Sequence, residues 1–412
     1  MSGGKPSLKW RAIGRSVIGA SHIRSGMPNQ DAIRLPDEVE GALILAVSDG
    51  HGSSRYFRSD RGARMAVDCS VTLLKEFLKG QPDLTNLSSI KRTADERLPQ
   101  ELVRRWHAAV AEDLSREPLT SEELTILERK ESSKARQSVE RKPMLAYGAT
   151  LLAVVVTEAF IFYLQLGDGD ILTVSEDGEV SRPIPHDPRL MANQTTSLCA
   201  DDAWRDVIVR LQAVVGKPPA LILLSTDGYA NSFVNEEAFL KVGSDILDII
   251  QESGLAFVEK DLESWLTEAS RAGSGDDITM GIVCRMDVPG VTWGPKETPA
   301  MLVQKPPQIH ERPKAEEPVE AKKNEPAEAE ESKPEEEKPV EAKPAEGKEA
   351  EANLAAAEEP AIPQPAEPAS LPERGESESP AKDSGGTPGD EDSDGYPWMY
   401  PTVTQPPRIK PR

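Results

Sequence analysis

Six short apolar runs divide the first 285 residues, and their length constrains the fold more than any other feature of the chain. They lie at 42–48 (ALILAVS), 150–156 (TLLAVVV), 160–166 (FIFYLQL), 170–174 (DILTV), 220–225 (ALILLS) and 278–285 (ITMGIVCR). Runs this short, apolar throughout and rich in β-branched residues, are buried strands rather than helices. Glu176-Asp177-Gly178 reads as a hairpin turn after the fourth run. Helical spacing appears at Met65, Ala66, Cys69, Leu73, Leu74, Phe77 and Leu78, and again at Leu102, Val103, Trp106, Ala109 and Val110. Two more helices are expected at 236–254 and 258–272. Helices grouped in pairs between runs of strands predict a layered α+β domain instead of alternating βαβ units. The polar stretch 113–144 has only a weak apolar pattern and is expected to be a partly helical excursion over the surface.

Beyond about residue 300 the text changes character. Of 35 prolines, 20 lie after Ala300, and residues 304–394 are Glu, Lys, Ala and Pro in short repeats with almost nothing to bury. Such a segment cannot offset its chain entropy and is expected to be a disordered tail, acting as a solubilising spacer. Aromatics return at 395–401 (GYPWMYP), which suits a short docking peptide for a partner protein on a mobile tether. The expected division is therefore a catalytic domain at 1–288, a linker at 289–303, the tail at 304–394 and a possible docking peptide at 395–412.

The formal net charge of −22 argues against nucleic acid as a ligand, because a polyanion is bound by clustered Lys and Arg. Anionic membrane surfaces are disfavoured for the same reason. The most apolar stretch, 149–166, is broken by Thr157-Glu158 and reads as two strands joined by a turn, not as a membrane span. The start, MSGGKPSLKW, has no apolar core of a secretory signal. Three cysteines, Cys69, Cys199 and Cys284, show no metal spacing, which fits a reducing cytoplasm; Cys69 and Cys284 lie in apolar patterns and are expected to be buried thiols.

The chemistry concentrates where the strands end. Three runs stop at an Asp followed by Gly: SDGHG at Asp49, LGDGD at Asp168 and STDGYANS at Asp227. Asp276-Asp277 stands directly before the last run, and Asp31 lies in NQDA before the first. A single Asp-Gly is an ordinary turn, as Asp177-Gly178 shows. Repeated at strand ends, the carboxylates can meet in one cleft, where they repel one another unless cations sit among them. An oxygen-only donor set selects hard ions such as Mg²⁺ or Mn²⁺, and two such ions suit phosphoester hydrolysis.

The ordered series NQDA, SDGHG, YGATLLAVVV, LGDGD, LLSTDGYANS and GDDITMGIV resembles the metal-dependent protein phosphatase 2C family, over 14–285. The resemblance implies a four-layer α-β-β-α sandwich, two mainly antiparallel sheets flanked by helix pairs. It implies a bacterial-type protein serine/threonine phosphatase using two, possibly three, Mn²⁺ or Mg²⁺ ions, in which a metal-bound hydroxide attacks phosphorus. Carried over position by position, Asp49 matches the carboxylate that bridges the two metals, and Gly50 the residue whose carbonyl ligates one. Asp227 and Asp276 match further ligands of the first metal, Asp168 the acidic residue near a weaker third, and Asp31 the one near the second. His51 matches the general acid that protonates the departing seryl or threonyl oxygen, a task suited to an imidazole titrating near neutral pH.

Three departures qualify the match. Gln30 stands where many relatives have Glu, Gly26 replaces the usual Arg, and Asp277 replaces the common Asn. Arg24, two positions before Gly26, and His22 are then the candidates for holding the substrate phosphate. The expected partners are phosphorylated proteins and a cognate Ser/Thr kinase. The competing reading is a catalytically weak pseudophosphatase that binds phosphoproteins as a scaffold.

Overall fold

The computed structural model describes residues 9–39, 41–186 and 195–294. The linker beyond 294, the expected tail at 304–394 and the aromatic peptide at 395–412 lie outside the described residues. The described strands are β1 (Trp10–Val17), β2 (Ala32–Val39), β3 (Ala42–Ser48), β4 (Leu151–Val156), β5 (Phe160–Leu166), β6 (Asp170–Val174), β7 (Val180–Ser181), β8 (Ile208–Ala213), β9 (Leu221–Ser225) and β10 (Ile278–Arg285). They form two five-stranded sheets, ordered β1-β10-β9-β6-β7 and β2-β3-β4-β5-β8, in which every pair is antiparallel.

The described helices are α1 (Ala20–Ser25), α2 (Ser59–Lys79), α3 (Leu87–Arg116), α4 (Ser121–Lys130), α5 (Ser133–Arg141), a single turn α6 (Asp227–Ala230), α7 (Glu236–Ser253) and α8 (Leu255–Ala272). Alternation of side chains along the strands assigns the layers. In β3, Leu43, Leu45 and Val47 meet Leu152, Val154, Ile222, Leu224 and Val283 between the two sheets. Its other face, Ala42, Ile44 and Ala46, packs with α2 and α3 through Val67, Leu74, Leu102 and Trp106. On the far side Leu223, Ile278, Met280 and Ile282 face Val242, Ile246, Val258 and Leu262 of α7 and α8. The order is thus helix, sheet, sheet, helix, the expected four-layer α+β sandwich.

All six expected strands form, and four more were not legible. β8 is an edge strand with mostly exposed or half-buried positions, and β7 has only two residues. β2 is also an edge strand; it contains Pro36, and its register slips between Arg34 and Asp37. An edge or a bulge is where a sheet tolerates proline, so the residue that hides this strand in the sequence is accommodated by its position. α3 runs well beyond the expected 102–110, because Ile90, Ala94 and Leu98 extend one narrow buried row through charged residues.

Two expectations are corrected. Cys199 and Cys284 are buried, whereas Cys69 is only half-buried on the outer side of α2; all three are free. The packed chain also continues past 288. Val288 and Val291 join the core beneath α7 and α8, and the carbonyls of Thr292 and Trp293 accept from the N–H groups of Leu255 and Ala256. No described helix is long and apolar enough to cross a membrane.

The α2–α3 layer depends on one close approach. A Cβ on Gly62 would lie 1.8 Å from the carbonyl oxygen of Tyr147, and the Gly62 carbonyl accepts from buried Trp106 Nε1 at 2.9 Å. Gly62→Ala is therefore expected to destabilise the domain by about 1–3 kcal/mol despite its better helix propensity, measurable as a lowered denaturation midpoint with unchanged m.

Candidate active site

The antiparallel register gathers the acidic residues at one end of both sheets. Ala32 pairs with Ser48, so the preceding Asp31 and the following Asp49 leave adjacent strands at the same edge. Ser225 pairs with Asp170 on one side and Met280 on the other, which brings Asp168, Asp227 and Asp276-Asp277 to that edge in the second sheet. Backbone pairing fixes each of these ends. Thr150 N–H donates to the Asp49 carbonyl and Thr226 N–H to the Thr279 carbonyl, at 2.8 and 3.0 Å, and Gly50 is bridged to Ala149. A Cβ on Gly228 would meet the Asp277 carbonyl oxygen at 2.2 Å, so only glycine lets the turn carrying Asp227 lie against the strand carrying Asp276.

Asp49, Gly50, His51, Asp168, Asp227 and Asp276 line a single cavity of about 1000 Å³. Asp31 lies behind its wall, buried, and accepts from Thr226 Oγ1 at 2.8 Å. Asp227 accepts from Asn231 Nδ2 at 3.0 Å, and its charge adds to burial in raising the proton affinity of Asp49. Burial and then the neighbouring aspartates raise Asp31 and Asp49 well above the usual carboxylate range. Asp227 is pushed up to about 6, by burial first and by Asp168 and Asp276 after it. Asp276 is the exposed member of the set, about half accessible, and Asp168 accepts from Thr195 Oγ1 at 2.8 Å.

His51 faces the cavity with its ring edge-on to Tyr56, centroids 4.7 Å apart. Burial pushes its imidazole down to about 4, so the ring is neutral at neutral pH. This corrects the expectation of an imidazole titrating near working pH. A proton on His51 has to be stabilised by negative charge arriving beside it, such as a phosphate dianion.

Arg24 and His22 do not reach the cavity. Both lie on α1, where Arg24 is exposed and His22 donates its ring to the structure instead, with Nδ1 2.9 Å from Asp277 Oδ2. Asp277 is the residue whose importance the sequence concealed. Buried at the foot of β10, it also accepts from the N–H groups of Gly19 and Gln30, both at 2.6 Å, and so ties α1 and the Gln30-Asp31 segment to the acidic edge. The described cation that lines the cavity is instead Arg182, with the His186 ring beside it, in the segment after β7. Arg182 is held by Asp170 at 2.6 Å and Glu236 at 2.5 Å, with its guanidinium over the Phe239 ring. Its role was hidden because Asp170 and Arg182 stand on opposite strands of a hairpin, joined by a pairing that neither run displays alone.

Among the described residues no three His, Cys, Asp or Glu side chains stand as a ready-made cage for one ion. The donor set nevertheless suits hard divalent cations. It is all oxygen, it is held as neighbouring carboxylates that cannot all ionise, and the Gln30 Oε1 acceptor beside Asp31 is buried without a partner. A divalent ion would offset the repulsion among these carboxylates.

The sequence profile of protein phosphatase 2C matches residues 18–267. The chain belongs to the protein phosphatase 2C family. That span includes Asp31, Asp49, His51, Asp168 and Asp227 but stops short of Asp276. Similar solved structures include the catalytic domain of the serine/threonine phosphatase PstP in complex with two manganese ions, 16% identical, covering 67% of this chain and 97% of that one with a TM-score of 0.39. Stp1 from Staphylococcus aureus is 12% identical, with 69% and 99% covered and a TM-score of 0.42. PppA, described as a key regulatory component of T6SS in Pseudomonas aeruginosa, is 17% identical, with 67% and 97% covered and a TM-score of 0.39. No match is found among curated proteins. As a protein phosphatase 2C, the chain is of the protein-serine/threonine phosphatase class.

Two measurements test the electrostatics. Because Asp31, Asp49 and Asp227 hold protons more tightly folded than unfolded, they stabilise the fold below about pH 4, and that stability is lost as pH rises through their raised folded values, about 6 for Asp227. His51, lowered to about 4, tilts stability the other way between about 4 and 6.5, but one group opposes three. Mn²⁺ or Mg²⁺ is therefore expected to raise Tm more at pH 7.5 than at pH 5, where protons compete for the same oxygens. The difference should vanish in Asp49→Asn. Separately, Asp277→Ala strands the buried N–H groups of Gly19 and Gln30 and is expected to cost about 2–3 kcal/mol in chemical denaturation.

Proposed function

We propose that the chain is a metal-dependent phosphatase of the cytoplasm that removes phosphate from phosphoserine and phosphothreonine in proteins phosphorylated by a Ser/Thr kinase. One observation supports this above the rest: several carboxyls with raised proton affinity meet on one wall of an open cavity, beside a neutral histidine. Asp49, Asp227, Asp276 and the Gly50 carbonyl would hold the first pair of ions, with Asp31 and Gln30 behind them and Asp168 at the cavity wall. The bound ions would supply positive charge for the phosphoryl oxygens and lower the pKa of a water.

The remaining work falls to this chain's own side chains. Burial keeps the His51 ring neutral, and the dianionic substrate favours its protonated form. The imidazolium then gives its proton to the leaving alkoxide, which is a strong base and departs poorly without one. Tyr56 restricts the ring from the side. Arg182, neutralised by Asp170 and Glu236, shapes the cavity wall rather than adding free positive charge to it.

The test is turnover of p-nitrophenyl phosphate and a phosphothreonine peptide with Mn²⁺ or Mg²⁺. Chelation by EDTA should abolish both activities, and Asp49→Ala or Asp227→Ala should lower kcat by on the order of 100-fold or more. Activity that survives EDTA and both substitutions would overturn the metal mechanism. Tight phosphopeptide binding in Mn²⁺ without turnover would instead favour the scaffold reading.

A further inference from the structure

The excursion between α3 and β4, to which the sequence assigned no role, reaches the loop that carries His51. That loop runs from His51 to Arg58 and contains the 3₁₀ turn Ser54–Tyr56. On its inner side it leans on the segment before β4: His51 N–H donates to the Gly148 carbonyl at 3.1 Å, and Arg58 N–H to the Ala146 carbonyl at 2.8 Å. The rings of Tyr56 and His51 both press on Gly148, where a Cβ would lie 2.6 and 2.7 Å from them. On its outer side the same loop is held by two carboxylates of the excursion.

Glu131, the residue that ends α4, accepts from Arg55 N–H at 2.8 Å and from Arg55 Nη2 at 3.1 Å, with Ser53 Oγ at 3.4 Å. Glu123 takes Arg58 in a fork, Nε at 2.8 Å and Nη2 at 3.0 Å. Arg58 is only 3% exposed, and its other donors reach Tyr147 Oη and the carbonyls of Glu117 and Pro118. Glu123 is itself fixed, because it closes the capping box of α4 with Thr120. Tyr56 therefore sits between Arg55 and Arg58, each held by a carboxylate of the excursion, and its ring sets one wall of the His51 position.

We infer that the α4–α5 excursion is a positioning element for His51, in which Glu131 and Glu123 fix the Arg55–Arg58 turn and, through Tyr56, the imidazole that faces the leaving group. The inference rests on the reading of His51 as general acid. Its substrate consequence is specific: a leaving group that needs a proton should depend on the excursion, and one that does not should be indifferent.

The experiment compares kcat and KM of the full chain in Mn²⁺ for a phosphothreonine peptide, whose alkoxide needs protonation, and for p-nitrophenyl phosphate, whose phenolate does not. Glu131→Ala should lower kcat for the peptide about tenfold with KM unchanged and p-nitrophenyl phosphate nearly unaffected, since misplacing a reacting group by about 1 Å can cost more than that. Glu131→Gln keeps an oxygen for the Arg55 N–H and should restore most of the loss. In a His51→Ala background, Glu131→Ala should cost nothing further. A parallel loss on both substrates, no loss at all, or a full additional loss in the His51→Ala background overturns the positioning role. If His51→Ala itself fails to distinguish the two substrates, the general-acid reading falls, and the positioning role with it. A selective His51→Ala beside an unselective Glu131→Ala would remove the positioning role alone.

Discussion

Burial of both faces of both sheets is the constraint on which the rest of the molecule depends. In β3, β4, β5, β6, β9 and β10 every residue is buried, because one side chain in two meets the opposite sheet and the next meets a helix layer. A polar group on the faces of such strands has to find its partner inside the protein, as Gln165 and Thr173 do, so an open site is not placed there. The ends of the strands remain. Antiparallel pairing then decides which ends fall together, and Asp31, Asp49, Asp168, Asp227 and Asp276 all stand within two residues of paired positions at one edge. The site is a consequence of register before it is a consequence of any side-chain contact.

The same edge concentrates like charge, and the fold meets that cost in two different ways. Asp277 and Asp170 are satisfied permanently, the first by two backbone N–H groups and His22, the second by Arg182. Asp49 and Asp227 face mainly like charge, with the Asn231 amide on Asp227, and both are raised above the usual carboxylate range. A carboxylate compensated by protein groups is structural, and one that faces like charge can be compensated by a bound cation. The division between the two groups separates residues that build the wall from residues available to a ligand, although all of them occupy similar Asp-containing turns in the sequence.

That division explains how far the sequence could be read. The six fully buried strands were legible because burial on both faces leaves uninterrupted apolar runs. β2 and β8 were not, since edge strands carry polar residues and Pro36 interrupts one of them. The acidic set was legible from repetition at strand ends. His22 and Arg24 were placed by their distance along the chain from Asp31, but α1 turns Arg24 outward and Asp277 takes up His22. The hairpin turn at Glu176–Gly178 was legible, but the two-residue β7 after it was not, so the approach of residues 182 and 186 to the cavity stayed hidden.

The neutrality of His51 and the rigidity of its loop belong together. On the reading of His51 as general acid, a ring whose proton affinity is lowered by burial would gain its proton when the substrate's charge is close, so the interaction that protonates it would be strongest with substrate in place. Such a group cannot wander and still work, because its proton must be aimed at one oxygen. A free surface loop would give no such aim. Here Arg58, almost fully buried, spends its donors on one carboxylate, one phenol and two carbonyls, and Glu131 takes the one backbone N–H of the turn that lies between Ser54 and Tyr56. The excursion is hard to read in sequence because its buried apolar side chains are few, Leu127, Ala135 and Val139 among them, while the carboxylates that hold the His51 loop look like ordinary surface charge.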